Sequence, residues 1–162
     1  MNMELYIKQK MLSFKDRFSI YDCWNRGKYS VEERLLSFGK TLYLYDRRGN
    51  ELVCLKRNLL SLRPAFRVYI KGVYVAEISK KLFTLRPQYE ICGLGWQVTG
   101  DIFSHEYKIM DGNRRVAEIS KKYFTFGDYY RISISSPLDE LMALSAVLAI
   151  DAIAELQDRH RN

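Results

Sequence analysis

Two histidines, three cysteines and a spread of carboxylates hold most of the chemistry available to this 162-residue chain. His105 stands beside Glu106 and close after Asp101, which is the material for a general base and its orienting carboxylate. A hydrolytic triad also needs a nucleophile held against that base, and no Gly-x-Ser-x-Gly or comparable setting accompanies it. His105 therefore reads as a solvent-exposed turn histidine, and His160 belongs to the polar tail 157–162. Cys23, Cys54 and Cys92 are odd in number and none sits in a Cys-x-x-Cys pair, so the pattern indicates neither a disulfide framework nor a zinc knuckle. No His-Glu-x-x-His is present, and Gly93-Leu94-Gly95 lacks the Gly-Lys-Ser/Thr of a phosphate loop. The residue types give no catalytic constellation, no metal site and no cofactor site.

The elements that must position these residues come from a hairpin motif that recurs six times. Each copy reads apolar residue, Ser or Thr, Phe or Leu, three turn residues, a bulky apolar residue, any residue, then Val, Ile or Leu. The copies run from Leu12-Ser13-Phe14 to Ile20, Leu36-Ser37-Phe38 to Leu44, Leu60-Ser61-Leu62 to Val68, Phe83-Thr84-Leu85 to Ile91 and Phe124-Thr125-Phe126 to Ile132. A looser copy runs from Asp101-Ile102-Phe103 through Tyr107 to Ile109. Period-two patterning on both arms makes each copy a hairpin, with the Ser/Thr and Phe/Leu positions read as strand-end and packing residues. Between consecutive copies lies a glycine turn, such as Arg47-Arg48-Gly49-Asn50 or Asp111-Gly112-Asn113. Six motif turns and five glycine turns join twelve antiparallel strands.

After the last strand, Ser136 can cap a helix, Pro137 fits its first turn, and Asp139 and Glu140 face the positive end of its dipole. The spacing predicts a helix over about 138–158, apolar almost all round and thin because alanines alternate with larger side chains. Such a helix is buried, and the uncharged run from Leu141 to Ile150 is too short to span a bilayer. The expected fold is all-β with one helix, a closed twelve-stranded antiparallel β-barrel around a central hydrophobic C-terminal helix, in a single domain over 1–162. Asp151 is the polar anomaly of that helix. Buried, it would need a donor and would mark a cavity; at the barrel mouth it would be solvated, and the rarity of fully buried charge favours the mouth.

Here the chain resembles the LURP-one-related family, in its short bacterial branch, which has the Tubby C-terminal-like fold and is related to phospholipid scramblases. The residues that carry the resemblance are the opening Tyr6-Ile7-Lys8-Gln9-Lys10-Met11-Leu12-Ser13-Phe14, the paired Val75 to Lys81 and Val116 to Lys122 segments, and the helix. The resemblance implies the skewered barrel and, through the phosphoinositide binding of Tubby proteins, an anionic-headgroup ligand. It carries no ligand position residue by residue onto this chain.

Composition narrows the partners. Formal net charge is +7, with 26 Lys and Arg against 19 Asp and Glu, so the field around the molecule favours anions. Near the motif turns lie Lys10, Lys15, Arg17, Arg34, Lys40, Arg57, Arg63, Lys80, Lys81, Arg86, Lys121 and Lys122, against Asp16, Glu33, Glu106 and Asp128. The glycine-turn end is more evenly balanced. The expected site for an anionic headgroup is therefore the motif-turn end, through Lys10, Lys15, Arg17, Arg63, Lys80, Lys81, Arg86, Lys121 and Lys122. Charge on solvated turns of a basic protein is the plain alternative. Strand tyrosines read as cross-strand packing partners, and no recognition helix or RNA-binding motif supports nucleic acid. The sequence-level expectation is a non-catalytic, cytoplasmic module, peripheral to the membrane, that binds anionic phospholipid. The other reading is a protein-binding regulatory scaffold that uses no lipid.

Overall fold

A computed structural model describes residues 2–8, 17–37, 39–125 and 127–161, with side chains described through residue 158. Twelve strands follow in order: β1 Met3–Lys8, β2 Arg17–Asp22, β3 Gly27–Leu36, β4 Gly39–Tyr45, β5 Glu51–Arg57 and β6 Ala65–Ile70, then β7 Val73–Lys80, β8 Tyr89–Cys92, β9 Trp96–Asp101, β10 Glu106–Asp111, β11 Arg114–Phe124 and β12 Gly127–Ile134. Each pairs antiparallel with its sequence neighbours, and β1 pairs with β12 to close the barrel. Among the described residues closure leaves no strand without two neighbours, which removes the template for edge-to-edge aggregation. The register slips by one residue at Ile20/Tyr21, Leu44/Tyr45 and Val68/Tyr69, so Tyr21, Tyr45 and Tyr69 follow one another at a constant interval along the chain. Such bulges raise the local twist that a small closed sheet requires.

The lumen is filled by α1, Glu140–Arg161, preceded by a 3-10 turn at Pro137–Asp139. Ser136 Oγ accepts from the Leu138 N–H at 3.3 Å. The helix thus starts slightly later than the capping pattern suggests, because the capped turn is 3-10. Ala143, Leu144, Ala146, Val147, Leu148, Ala149, Ile150 and Ile153 are all buried, as are the inward residues of the strands, including Leu5, Ile20, Leu44, Leu55, Phe66, Ile78, Ile109 and Ile132. The alanines let backbone and wall approach while the larger residues fill the gaps. Ser145, fully buried, donates to the Leu141 carbonyl at 2.6 Å and so costs the core no orphaned hydroxyl.

The helix has a direction in the barrel. At the glycine-turn end, Glu140 in its first turn accepts from Lys28 and from the Tyr29 hydroxyl. At the motif-turn end, Lys40 reaches Glu155 and Lys80 reaches Gln157. The acidic C-terminal half of α1 therefore emerges among the turns that carry the basic residues.

Candidate functional site

Two features distinguish the motif-turn end, an apolar and basic rim and a polar mouth within it. Exposed large apolar side chains concentrate on the rim: Leu35 at the end of β3, Leu59, Leu60 and Leu62 after β5, Leu82, Phe83 and Leu85 after β7, Phe103 after β9, and Tyr123 and Phe124 at the end of β11. Leu60, Leu62, Phe83 and Leu85 are 91%, 97%, 104% and 107% exposed. At Leu62, Leu85 and Phe103 this corrects the reading of the motif's Phe/Leu position as a packing residue; Phe14, Phe38 and Phe126 lie outside the described residues. Period-two alternation holds along the strands but fails at the tips, where residues 58–64 and 81–88 leave the sheet and the barrel wall offers nothing to pack against. Phe83 also has φ +60°, a left-handed conformation costly for a bulky residue and found where surroundings or function demand it.

Among the described residues, the basic side chains of this end engage separate partners around the rim. Lys10 and Lys15 lie outside the described residues. Arg17 pairs with Glu32 on the outer wall. Arg63 and Lys81 converge on Glu90 at 2.9 and 3.6 Å. Arg86 is exposed and its charge helps hold the Asp101 carboxyl below its usual range, behind the hydrogen bonds from Ser104. Lys80 turns inward to Gln157, while Lys121 lies near His105 and uses its backbone N–H to bond Glu106. Among the described residues, Arg57 and Lys122 form no ion pair. The motif end is also less one-sidedly basic than its turn residues suggest, because Asp101 and the helix residues Asp151, Glu155 and Asp158 belong to it. The helix direction is what brings the last three there.

Inside the rim, the mouth holds a cavity of about 240 Å³ beside a second of about 150 Å³, both lined by His105, Asp151, Ala154 and Asp158. Phe18, Leu42 and Leu148 form an apolar floor for the larger one. Lys40, only 6% exposed, bridges Glu33 at 2.9 Å and Glu155 at 2.8 Å in its wall. His105 is not the free turn histidine that its flanking residues suggest. With φ +53° it folds back into the mouth, stacks on Tyr130 with ring centroids 4.0 Å apart, and sets Nδ1 3.7 Å from Asp151 Oδ1. Burial, then the nearby Lys121 charge, depress its pKa to about 4, so the imidazole is neutral at ordinary pH.

Asp151 lies at the mouth, but its side chain is only 12% exposed, and its Oδ2 is buried with no hydrogen-bond partner among the described residues. Burial, reinforced by the Glu155 charge, raises its pKa to about 7. The two alternatives for this residue thus meet in one place: it sits where the helix leaves the barrel and is nevertheless largely desolvated. Its field also contributes to raising the pKa of the hydroxyls of Tyr89, Tyr107 and Tyr130, after burial, and the Tyr107 hydroxyl is buried without a hydrogen-bond partner among the described residues. Among the described residues no serine or cysteine is hydrogen-bonded to His105, and no group of three His, Cys, Asp or Glu side chains is placed to hold a metal ion. Cys23, Cys54 and Cys92 are free thiols.

Comparison with known proteins gives three findings. The family model described as LURP-one-related matches residues 3–151. The uncharacterised protein YxjI of Bacillus subtilis is 36% identical over 151 residues, covering 93% of each chain. An X-ray structure of an Arabidopsis thaliana protein superposes with a TM-score of 0.67 at 15% identity, covering 94% of this chain and 91% of the other, a likeness of fold alone.

Proposed function

The chain belongs to the LURP-one-related family, and from that membership and the character of the motif-turn rim we propose that it is a non-catalytic binding domain that docks on anionic phospholipid surfaces. The observation that carries this reading is the ring of exposed Leu and Phe tips, Leu60, Leu62, Phe83 and Leu85 foremost, interleaved with Arg57, Arg63, Lys81, Arg86 and Lys122. Apolar side chains at turn tips gain about 1.5–3 kcal/mol each when moved fully out of water. A basic residue near an anionic leaflet contributes about 1 kcal/mol more. A mixture of projecting apolar tips and cations is complementary to a headgroup layer over acyl chains. Because the cations are spread around a rim, the reading favours a lipid surface over a single enclosed headgroup. No helix among the described residues is long and apolar enough to cross a membrane, so attachment in this reading is peripheral.

Flotation with phosphatidylglycerol vesicles across a salt series tests the proposal. Binding at low salt that weakens as salt rises is expected, and a protein that stays at the bottom of the gradient at low salt refutes it. Leu62→Ser, Phe83→Ser and Leu85→Ser together should abolish flotation. Lys81→Glu, Arg86→Glu and Lys122→Glu together should weaken it strongly, whereas Arg47→Glu with Arg48→Glu at the opposite end should leave it nearly unchanged. Equal losses from both ends would mean that net charge, not the rim, governs attachment.

A further inference from the structure

We propose that the cleft at the glycine-turn end of the barrel is a binding site for a small aromatic carboxylate, held between Trp24 and Arg48. The site is independent of the lipid-docking rim at the opposite end. The cleft holds about 650 Å³, more than either mouth cavity, and lies between the start of β1, the β2–β3 turn and the β4–β5 turn. The two turns are built alike. The Asp22 N–H donates to the Arg26 carbonyl at 2.9 Å and the Asp46 N–H to the Asn50 carbonyl at 3.0 Å. The fourth residue of each is left-handed, Asn25 at φ +57° and Gly49 at φ +82°. Each opening aspartate is engaged within its own turn. Asp22 accepts from the N–H groups of Trp24 and Arg26 and from Arg26 Nε, and Asp46 from the N–H groups of Arg48 and Asn50 and from Asn50 Nδ2. Trp24 and Arg48 therefore occupy the same position of two equivalent, internally fixed turns. Arg47 ties the turns together, donating to the Gly27 carbonyl at 2.7 Å and pairing with Asp22 at 3.6 Å. The walls of the cleft are set before any ligand arrives, which lowers the ordering cost of binding.

Charge and shape together select the ligand. Arg26, Lys28, Arg47 and Arg48 line the cleft against Glu4, Asp22 and Asp46. Glu140 pairs with Lys28 and Arg131 with Glu4, so with these partners counted the excess is still one positive charge, which suits a monoanion. Among the described residues the Arg48 guanidinium forms no ion pair. Its charge only adds to the hydrogen bonds from Asn50 that hold the Asp46 carboxyl below its usual range. A guanidinium with its planar fork uncommitted matches a carboxylate. Met3, Leu5 and Tyr29 give the cleft an apolar lining for the body of the ligand. Trp24 makes that body aromatic: it is 72% exposed, with the Arg26 guanidinium over its ring at 4.7 Å, and an indole so held favours offset stacking by a second ring. A cation is repelled by the arginines, and a polyanion exceeds the single positive charge.

Titration calorimetry of the full chain with 2-naphthoate tests the site, with 2-naphthamide as its uncharged counterpart. A single molecule of 2-naphthoate per chain is expected to bind, about tenfold or more tighter than 2-naphthamide, the scale of one charge-assisted hydrogen bond. Arg48→Gln should remove that preference and weaken 2-naphthoate binding by a similar factor. Trp24→Ala should weaken both ligands, and Trp24→Phe should recover part of the loss. Trp24 and Arg48 are exposed, so these variants should melt with the parent, and the melt reports whether each one folds. Leu62→Ser, Phe83→Ser and Leu85→Ser together should leave 2-naphthoate binding unchanged. No binding of 2-naphthoate at millimolar concentration overturns the proposal. Met1 lies outside the described residues next to Asn2 in the lining, and a cleft filled by its own chain would give that same refuting result. Equal affinity for the two ligands also overturns it, as does 2-naphthoate binding that survives both Arg48→Gln and Trp24→Ala or that is lost in the rim variant.

Discussion

Asp151 makes the stability of the barrel depend on pH. Its folded pKa is raised from 3.8 to about 7, so between those values the folded protein holds a proton that the unfolded chain has lost. Its contribution to stability is therefore largest in acid and falls as pH rises through about 7. His105 has the opposite sign. Its folded pKa is lowered from 6.5 to about 4, so its contribution is complete above 6.5 and is lost as pH falls towards 4. The two slopes oppose one another in weakly acid solution. Thermal melts from pH 4 to 8 should show that Asp151→Asn raises stability at pH 8 by about 1–4 kcal/mol and steepens the fall in acid. His105→Gln should flatten that acid fall. Parallel curves for both variants and the parent would contradict the assignment. A second residue under constraint is Gly100, with φ +118°, where an added Cβ would lie 2.7 Å from the Glu106 carbonyl oxygen. Gly100→Ala should lower stability by about 2–4 kcal/mol in urea titrations.

Among the elements, the helix is the most constrained. Ala143, Ala146 and Ala149 are fully buried against the wall, so the lumen is matched to a slim rod. Ala146→Leu should destabilise by about 1–3 kcal/mol through overpacking, measurable as a shift in the denaturation midpoint. The strands are legible in the sequence because alternation and glycine turns are local signals, and the twelve strands and the filled lumen follow from them. The turn tips were not. Leu62 and Leu85 carry the same residue types as buried strand positions, and only the absence of an opposing wall makes them exposed. The mouth was hidden for a related reason. His105, Asp151 and Lys40 are remote in sequence, and the turn residues alone do not say where the helix leaves the barrel. The signal available was the helix direction, since a helix that begins beside the last glycine-turn strand end must finish among the motif turns.

At the scale of the molecule, the two ends of the barrel differ in kind. The motif end combines exposed Leu and Phe with cations around an acidic mouth, while the far end presents Trp24 within the Asp22, Arg26 and Arg47 ion-pair network. If the rim meets a lipid surface, Trp24 stands away from it. On adding phosphatidylglycerol vesicles, a tryptophan placed by Leu85→Trp should shift its emission to the blue. Trp24 should remain open to acrylamide quenching. A blue shift from Trp24 with none from position 85 would reverse the orientation.

The β1–β12 seam also carries a consequence in time. It pairs Met3 with Ile134, so the first strand waits for nearly the whole sheet before it finds its second neighbour. The chain that closes this seam must then be followed by the helix that occupies the lumen. During synthesis the growing sheet therefore carries an open edge and an unfilled apolar concave face until the last segment is made. Contacts of such long range slow folding, and the incomplete sheet is the species most open to misassembly.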